Sequence, residues 1–172
     1  MARSWKQHFI GLAQYHCWAN EVLFKSLDTL PAAALAANEG LFFGSALHTL
    51  NHILVGTRIW YGRLRQEDPK ALQLNTVLYS DWAELKQALR DELQAVLQWL
   101  QRQPECAFEE ELAYTNTRGE PFRNTVSDVL IHMFSHIQHH RGQVSVAATR
   151  LGAPAPEMDF IFWRRAQSAN SA

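Results

Sequence analysis

The stretch from Asp128 to Gln143, DVLIHMFSHIQHHRGQ, constrains this chain more than any other, because it concentrates four of the eight histidines. Val129, Leu130, Met133, Phe134, Ile137 and Val144 recur at steps of three and four residues, which predicts an amphipathic helix. On such a helix His132, His136 and His140 lie four residues apart, each about 6 Å further along the axis and turned by only about 40°. Either successive pair can therefore aim two imidazoles at one ion, and spacing alone does not choose between His132/His136 and His136/His140. A lone HxxxH is as often a pair of surface or interface histidines. Two imidazoles leave a divalent cation under-coordinated, so the decision rests on a third ligand from elsewhere.

A second HxxxH, His48 and His52, lies in ALHTLNHILVGTRIWYGRL, a predicted helix from Ala46 to about Arg65. Its buried stripe is expected at Leu47, Leu50, Leu54, Ile59 (or Trp60) and Leu64. Two further helices complete the set. The first runs from an N-cap at Ser4 to about Leu30, stopped by Pro31, and carries His8, His16 and Asn20. His16 is expected on the surface, with a polar contact inside the bundle as the alternative. The third helix follows a cap at Asp81 and ends near Gln103 before Pro104, with Leu85, Leu89, Leu93, Val96, Leu97 and Leu100 inward. Its Lys86, Arg90, Asp91 and Glu92 read as a solvated charge set.

Between these helices, residues 31–44 read as an Ala-rich linker ending in GLFFG. Glu67 to Asp81 reads as a long connection with a break at Asp68–Pro69. Thr117 to Pro121 is a turn signal, and the stretch from Phe108 to Asn124 is expected as a small β-hairpin or an extended arm. Thr125 or Ser127 should cap the histidine-rich helix, which continues to about Leu151 before Gly152 and Pro154. A short last helix is expected over Met158 to Arg165, with Phe160, Ile161 and Trp163 available for packing. The fold class is all-α: a four-helix bundle in one domain over residues 1–172.

With 172 residues, 47% hydrophobic and 19% charged, the chain has material for a proper core. Sixteen basic against seventeen acidic residues, without a basic run, argue against a nucleic-acid partner. No apolar run of about 18 residues suggests a membrane span. The start, MARSWKQHF, lacks the apolar core of a signal peptide. Cys17 and Cys106 form no CxxC and are expected as buried or partly buried thiols in a reducing cytoplasm.

Taken together, YHCWANEVLF, LHTLNHILVGTRIWYGRL, HIQHHRGQV and RLGAPAPEMDFI resemble the DinB/YfiT-like metal-binding bundles over nearly the whole chain. The most specific element is HxxxHRGQ at His136 to Gln143. The resemblance implies an antiparallel four-helix bundle, commonly homodimeric, with a nickel- or zinc-type site between helices. Matched residue by residue, it implies His52, His136 and His140 as the metal ligands. His48, His132 and His139 become their neighbours. Some members of such a family look like S-transferases that use a low-molecular-weight thiol (bacillithiol, mycothiol or glutathione). Others resemble maleylpyruvate isomerases or hydrolases.

Three neutral imidazoles leave coordination positions open for water or substrate, as catalytic sites do. An all-histidine set favours nickel, zinc, copper, cobalt or iron over magnesium or calcium. Asn20, Asn51, Asp128 and Gln143 are candidates to orient the ligands through their far N–H groups. Arg141 is expected in a structural salt bridge, with an anionic substrate or the carboxylate of a thiol cofactor as the alternative. The chain lacks the Glu-x-x-His pairs of di-iron bundles, the HExxH of zinc proteases, and any phosphate loop or GxSxG elbow. The functional expectation is a metal-dependent enzyme that activates water or a thiol. The alternative is a non-catalytic metal-binding or stress-response homodimer.

Overall fold

A computed structural model describes residues 4–67 and 72–169. Four long helices form the bundle: α1 (Trp5–Leu27), α3 (Ala46–Leu64), α4 (Trp82–Arg102) and α5 (Val126–Arg150). Each begins at a side-chain cap. Ser4, Ser45, Asp81 and Thr125 accept from the backbone N–H of Gln7, His48, Glu84 and Asp128 respectively, satisfying donors that have no partner inside the helix. Thr125 rather than Ser127 therefore caps α5.

Helix α1 stops three residues before Leu30, and Pro31 opens a short helix, α2 (Ala32–Ala36), inside the expected linker. A proline pre-organises a helix start as readily as it ends one. The hairpin pairs β1 (Glu111–Thr115) with β2 (Pro121–Thr125) antiparallel, Tyr114 facing Phe122, and Gly119 turns the chain at φ +82°. The last helix, α6 (Phe160–Ala169), starts later and runs further than the sequence suggests. Of its large apolar residues Trp163 is buried, whereas Phe160, Ile161 and Phe162 remain exposed. The Asp68–Pro69 break lies outside the described residues.

Contacts give the directions of the helices. Glu21 meets Arg90 and Asp28 meets Lys86, so α1 and α4 are antiparallel. Gly56 abuts His136 and Trp60 abuts His132, so α3 and α5 are antiparallel as well. Arg58 pairs with Glu92 and Tyr61 donates to the carbonyl of Ala95, so α3 and α4 run the same way. The same holds for α1 and α5, from the Asn20–Arg141 and Ser26–Pro154 contacts. Two antiparallel pairs thus stand side by side. A parallel α3/α4 pair requires the intervening chain to travel back along the bundle. Residues 72–80 of that return segment lie over the N-terminal half of α3. There Asn51 accepts from the N–H groups of Leu78 and Tyr79 and donates to the carbonyls of Leu47 and Tyr79.

The core fills the space between the four helices with Phe9, Leu54, Leu85, Leu100 and Leu130, all fully buried. Helix α3 is buried on nearly every face, Ile59 more deeply than Trp60. The charge set on α4 is not merely solvated. Lys86, Arg90 and Glu92 reach Asp28, Glu21 and Arg58, because α4 stands between α1 and α3 and its flanks face theirs. Cys17 is partly buried, and burial pushes its thiol up to about 11. Cys106 is exposed, contrary to expectation: it sits on a single 3-10 turn that directs Phe108 into the core instead.

Candidate metal centre

His52 comes from the second turn of α3, His136 and His140 from the middle of α5, where the two antiparallel helices touch. One ring nitrogen from each lies within 4.8 Å of the other two. Ring centroids are 4.9 Å apart for His52 and His136, 4.6 Å for His52 and His140, and 4.5 Å for His136 and His140. His136 reaches this position because α3 has no side chain at Gly56. A Cβ built there would lie 3.0 Å from Cε1 and 3.4 Å from Nδ1 of the imidazole. Phe43, from the GLFFG turn, stacks on His52 at 3.9 Å and closes one side.

Two hydrogen bonds decide which edges face inward. Nδ1 of His52 donates to the carbonyl of Leu74 at 2.8 Å, and Nδ1 of His140 donates to Oε1 of Gln143 at 2.8 Å. Both rings therefore carry their proton on Nδ1 and present a bare Nε2. Nε2 of His52 lies 3.0 Å from Nε2 of His136. Tetrahedral ligands at about 2.0–2.1 Å from an ion stand about 3.3 Å apart, so the cluster has the scale of a transition-metal site. Burial holds the pKa of His52 and His140 below the ordinary histidine value. Burial, followed by the neighbouring His140, His52 and His132, takes His136 down to about 3. Neutral imidazole is the form that binds a cation, and the donor set fits a borderline-soft divalent ion.

The remaining histidines divide by position. His48 is exposed. His132 packs against Trp60 with ring centroids 4.9 Å apart and stands 5.9 Å from His136, one turn below the cluster. His139 lies 3.2 Å from Nε2 of Gln143, the amide that also holds His140. His16 is not a surface residue. It is 1% exposed, stacked on Phe134, and accepts from Nη1 of Arg141 at 3.0 Å. Arg141 makes no ion pair among the described residues; it spends its donors on His16, Asn20 and Tyr15 inside the bundle, away from the cluster.

Of the four candidates to orient ligands, Gln143 alone contacts one. Asn20 serves Arg141, Asn51 holds the return segment, and Asp128 sits in the first turn of α5. Three contributors went unread in the sequence. Gly56 could have been found as an isolated glycine within a helical pattern. Phe43 had only its GLFFG setting, and the carbonyl of Leu74 left no side-chain signal at all.

Four helices in two antiparallel pairs, with three imidazoles converging at one helix contact, define a bundle protein with a candidate transition-metal centre. A sequence model described as the DinB family matches residues 1–170, and the chain belongs to that family. It is 24% identical over 156 residues to Protein DinB of Bacillus subtilis (strain 168), across 87% of this chain and 89% of that protein.

Proposed function

We propose that His52, His136 and His140 hold a nickel- or zinc-type divalent ion, and that the protein is a metal-dependent enzyme of the hydrolase or thiol S-transferase type. The observation that carries this reading is the convergence of three neutral imidazoles, two of them oriented through Nδ1 by Leu74 and Gln143. Such an ion lowers the pKa of bound water to about 7, or holds a coordinating thiol as thiolate. The chain's own residues orient the donors, keep them neutral by burial, and shield them with Phe43. Membership of the DinB family supports the metal reading. A thiol co-substrate and a homodimer follow from the same likeness, and the exposed Phe160, Ile161 and Phe162 suit a self-association surface. Among the described residues no helix is long and apolar enough to cross a membrane. Unpaired Cys17 and Cys106 suit a cytoplasmic setting.

A second reading, a non-catalytic metal-binding protein, draws support from one observation. Among the described residues no carboxylate is hydrogen-bonded to the three imidazoles, so no general base stands beside them.

The test is elemental analysis of protein purified without a polyhistidine tag or added nickel. His52→Ala, His136→Ala and His140→Ala should each lose stoichiometric metal, and His132→Ala should lose less. A full equivalent retained by any of the three removes that residue from the ligand set. Metal-dependent thiol conjugation of electrophiles, or ester or amide hydrolysis, then separates enzyme from binder.

A further inference from the structure

Arg63, near the C-terminal end of α3, is a buried cation with no carboxylate within ion-pair distance among the described residues. It is 7% exposed, and its Nε is buried without a hydrogen-bond partner. Other arginines differ: Arg58, Arg65, Arg90 and Arg123 have glutamate partners, and Arg141 has Tyr15, His16 and Asn20. The guanidinium carbon of Arg63 lies 4.4 Å from the ring centre of Trp60 and 4.8 Å from that of Tyr114. Two aromatic faces fix it in place and offset part of its desolvation, but neither accepts its hydrogen bonds. A buried charge is costly unless it is paired.

What lies beside it is a cleft of about 580 Å³ between the return segment and the hairpin turn. Leu72, Gln73 and Leu74 form one wall and Thr115, Asn116 and Thr117 another, with Arg63 the charged residue among the described residues lining it. One guanidinium amid neutral amides and hydroxyls matches a single carboxylate better than a doubly charged phosphate. The cleft also adjoins the histidine cluster. Leu74, in its wall, is the residue whose carbonyl holds His52, and Trp60 packs against His132 beside His136. Arg63 follows His52 by eleven residues, close to three full turns of α3, so both lie on one side of that helix. Its guanidinium is at the level of Trp60, about 12 Å along the axis from His52 at about 1.5 Å per residue.

We infer that Arg63 receives the carboxylate of an elongated small-molecule substrate whose reacting group lies at the three histidines, about 12 Å away by the same helical rise. The link to a reacting group rests on the proposed metal centre; the carboxylate site itself does not.

The experiment separates the two. Chelator-treated full-length protein is titrated calorimetrically with octanoate and with octanamide. Octanoate should bind about tenfold or more tightly, the scale of hydrogen bonds to a charged group, and Arg63→Gln should abolish the preference while Arg63→Lys keeps part of it. Equal affinity for acid and amide in the unaltered protein, or the same preference in Arg63→Gln, overturns the site without recourse to a variant's folding. Nickel-loaded protein is then titrated with mercaptoacetate, mercaptobutanoate and mercaptooctanoate. Tightest binding by the longest, lost in Arg63→Gln at unchanged nickel content, supports the span from Arg63 to the cluster. Affinity that does not depend on length overturns it. Protein that holds no nickel but still prefers octanoate refutes the metal centre and leaves the carboxylate site standing.

Discussion

Gly56→Ala should separate the stability of the fold from the integrity of the centre, because the two respond in opposite directions. In the body of a helix, alanine is favoured over glycine by about 0.8–1.0 kcal/mol. The added Cβ would stand 3.0 Å from Cε1 of His136. Ordinary contact between carbon atoms is about 3.5–4.0 Å, so the imidazole must retreat by about 0.5–1 Å. Metal–ligand distances tolerate errors of only about 0.2 Å. The displaced ring still packs, but it no longer converges with His52 and His140. In chelator-treated protein the melting temperature should stay level or rise by about 2–4 °C, the shift expected for about 1 kcal/mol in a chain of this size. Metal affinity, read by competition with a chromophoric chelator, should fall about tenfold or more, as when a ligand loses its support. Wild-type affinity in a stable Gly56→Ala protein would refute the claim that this glycine makes room for a ligand. Loss of the fold would refute the claim that the replacement is tolerated.

Three further outcomes follow. Gln143→Ala should lower metal affinity about 10–100-fold with little change in melting temperature, checked by the same competition assay. Burial, aided by the charge of Arg141, holds the His16 pKa well below its ordinary 6.5. The unfolded chain therefore takes up a proton that the fold excludes, so His16 favours the fold above about pH 6.5 and erodes its stability by about 1.4 kcal/mol per pH unit below it. In urea titrations of chelator-treated protein at pH 7, 6 and 5, His16→Asn, which can still accept from Arg141, should flatten that slope by up to this amount. Leu54→Ala, at a fully buried position, should cost about 2–5 kcal/mol in the same titrations, whereas Glu21→Gln, in a half-exposed ion pair, should cost about 1 kcal/mol or less.

The helices were legible because their signals are local. Ser4, Ser45, Asp81 and Thr125 announce themselves as caps, and apolar steps of three and four residues mark the faces that close the core. The ends set by Pro31 and Met158 were not, since a proline starts helices as well as stopping them and α6 is positioned by tertiary packing of Trp163. Within the cluster, periodicity brought His136 close to both His132 and His140. Only the likeness to a family favoured His140, the member that the fold turns toward His52. The surface reading of His16 failed because its position on α1 gives no hint that α5 brings an arginine to it from 125 residues away. Arg63 escaped notice for a related reason. An arginine near the end of an apolar helix looks like a solvent-facing charge until the hairpin delivers Tyr114 to its other side.

Because α3 and α4 point the same way, the chain between them must double back, and in doing so it lays a backbone carbonyl against one of the three imidazoles. The tautomer of that ring is therefore governed by a loop, not by either helix that carries the histidines. Lengthening or shortening the loop between Leu74 and the Asn51 clasp would rotate His52 and retune the centre's donor strength while every packed helical residue stayed in place. Family members could thus diverge in metal preference by editing the least conspicuous part of the scaffold.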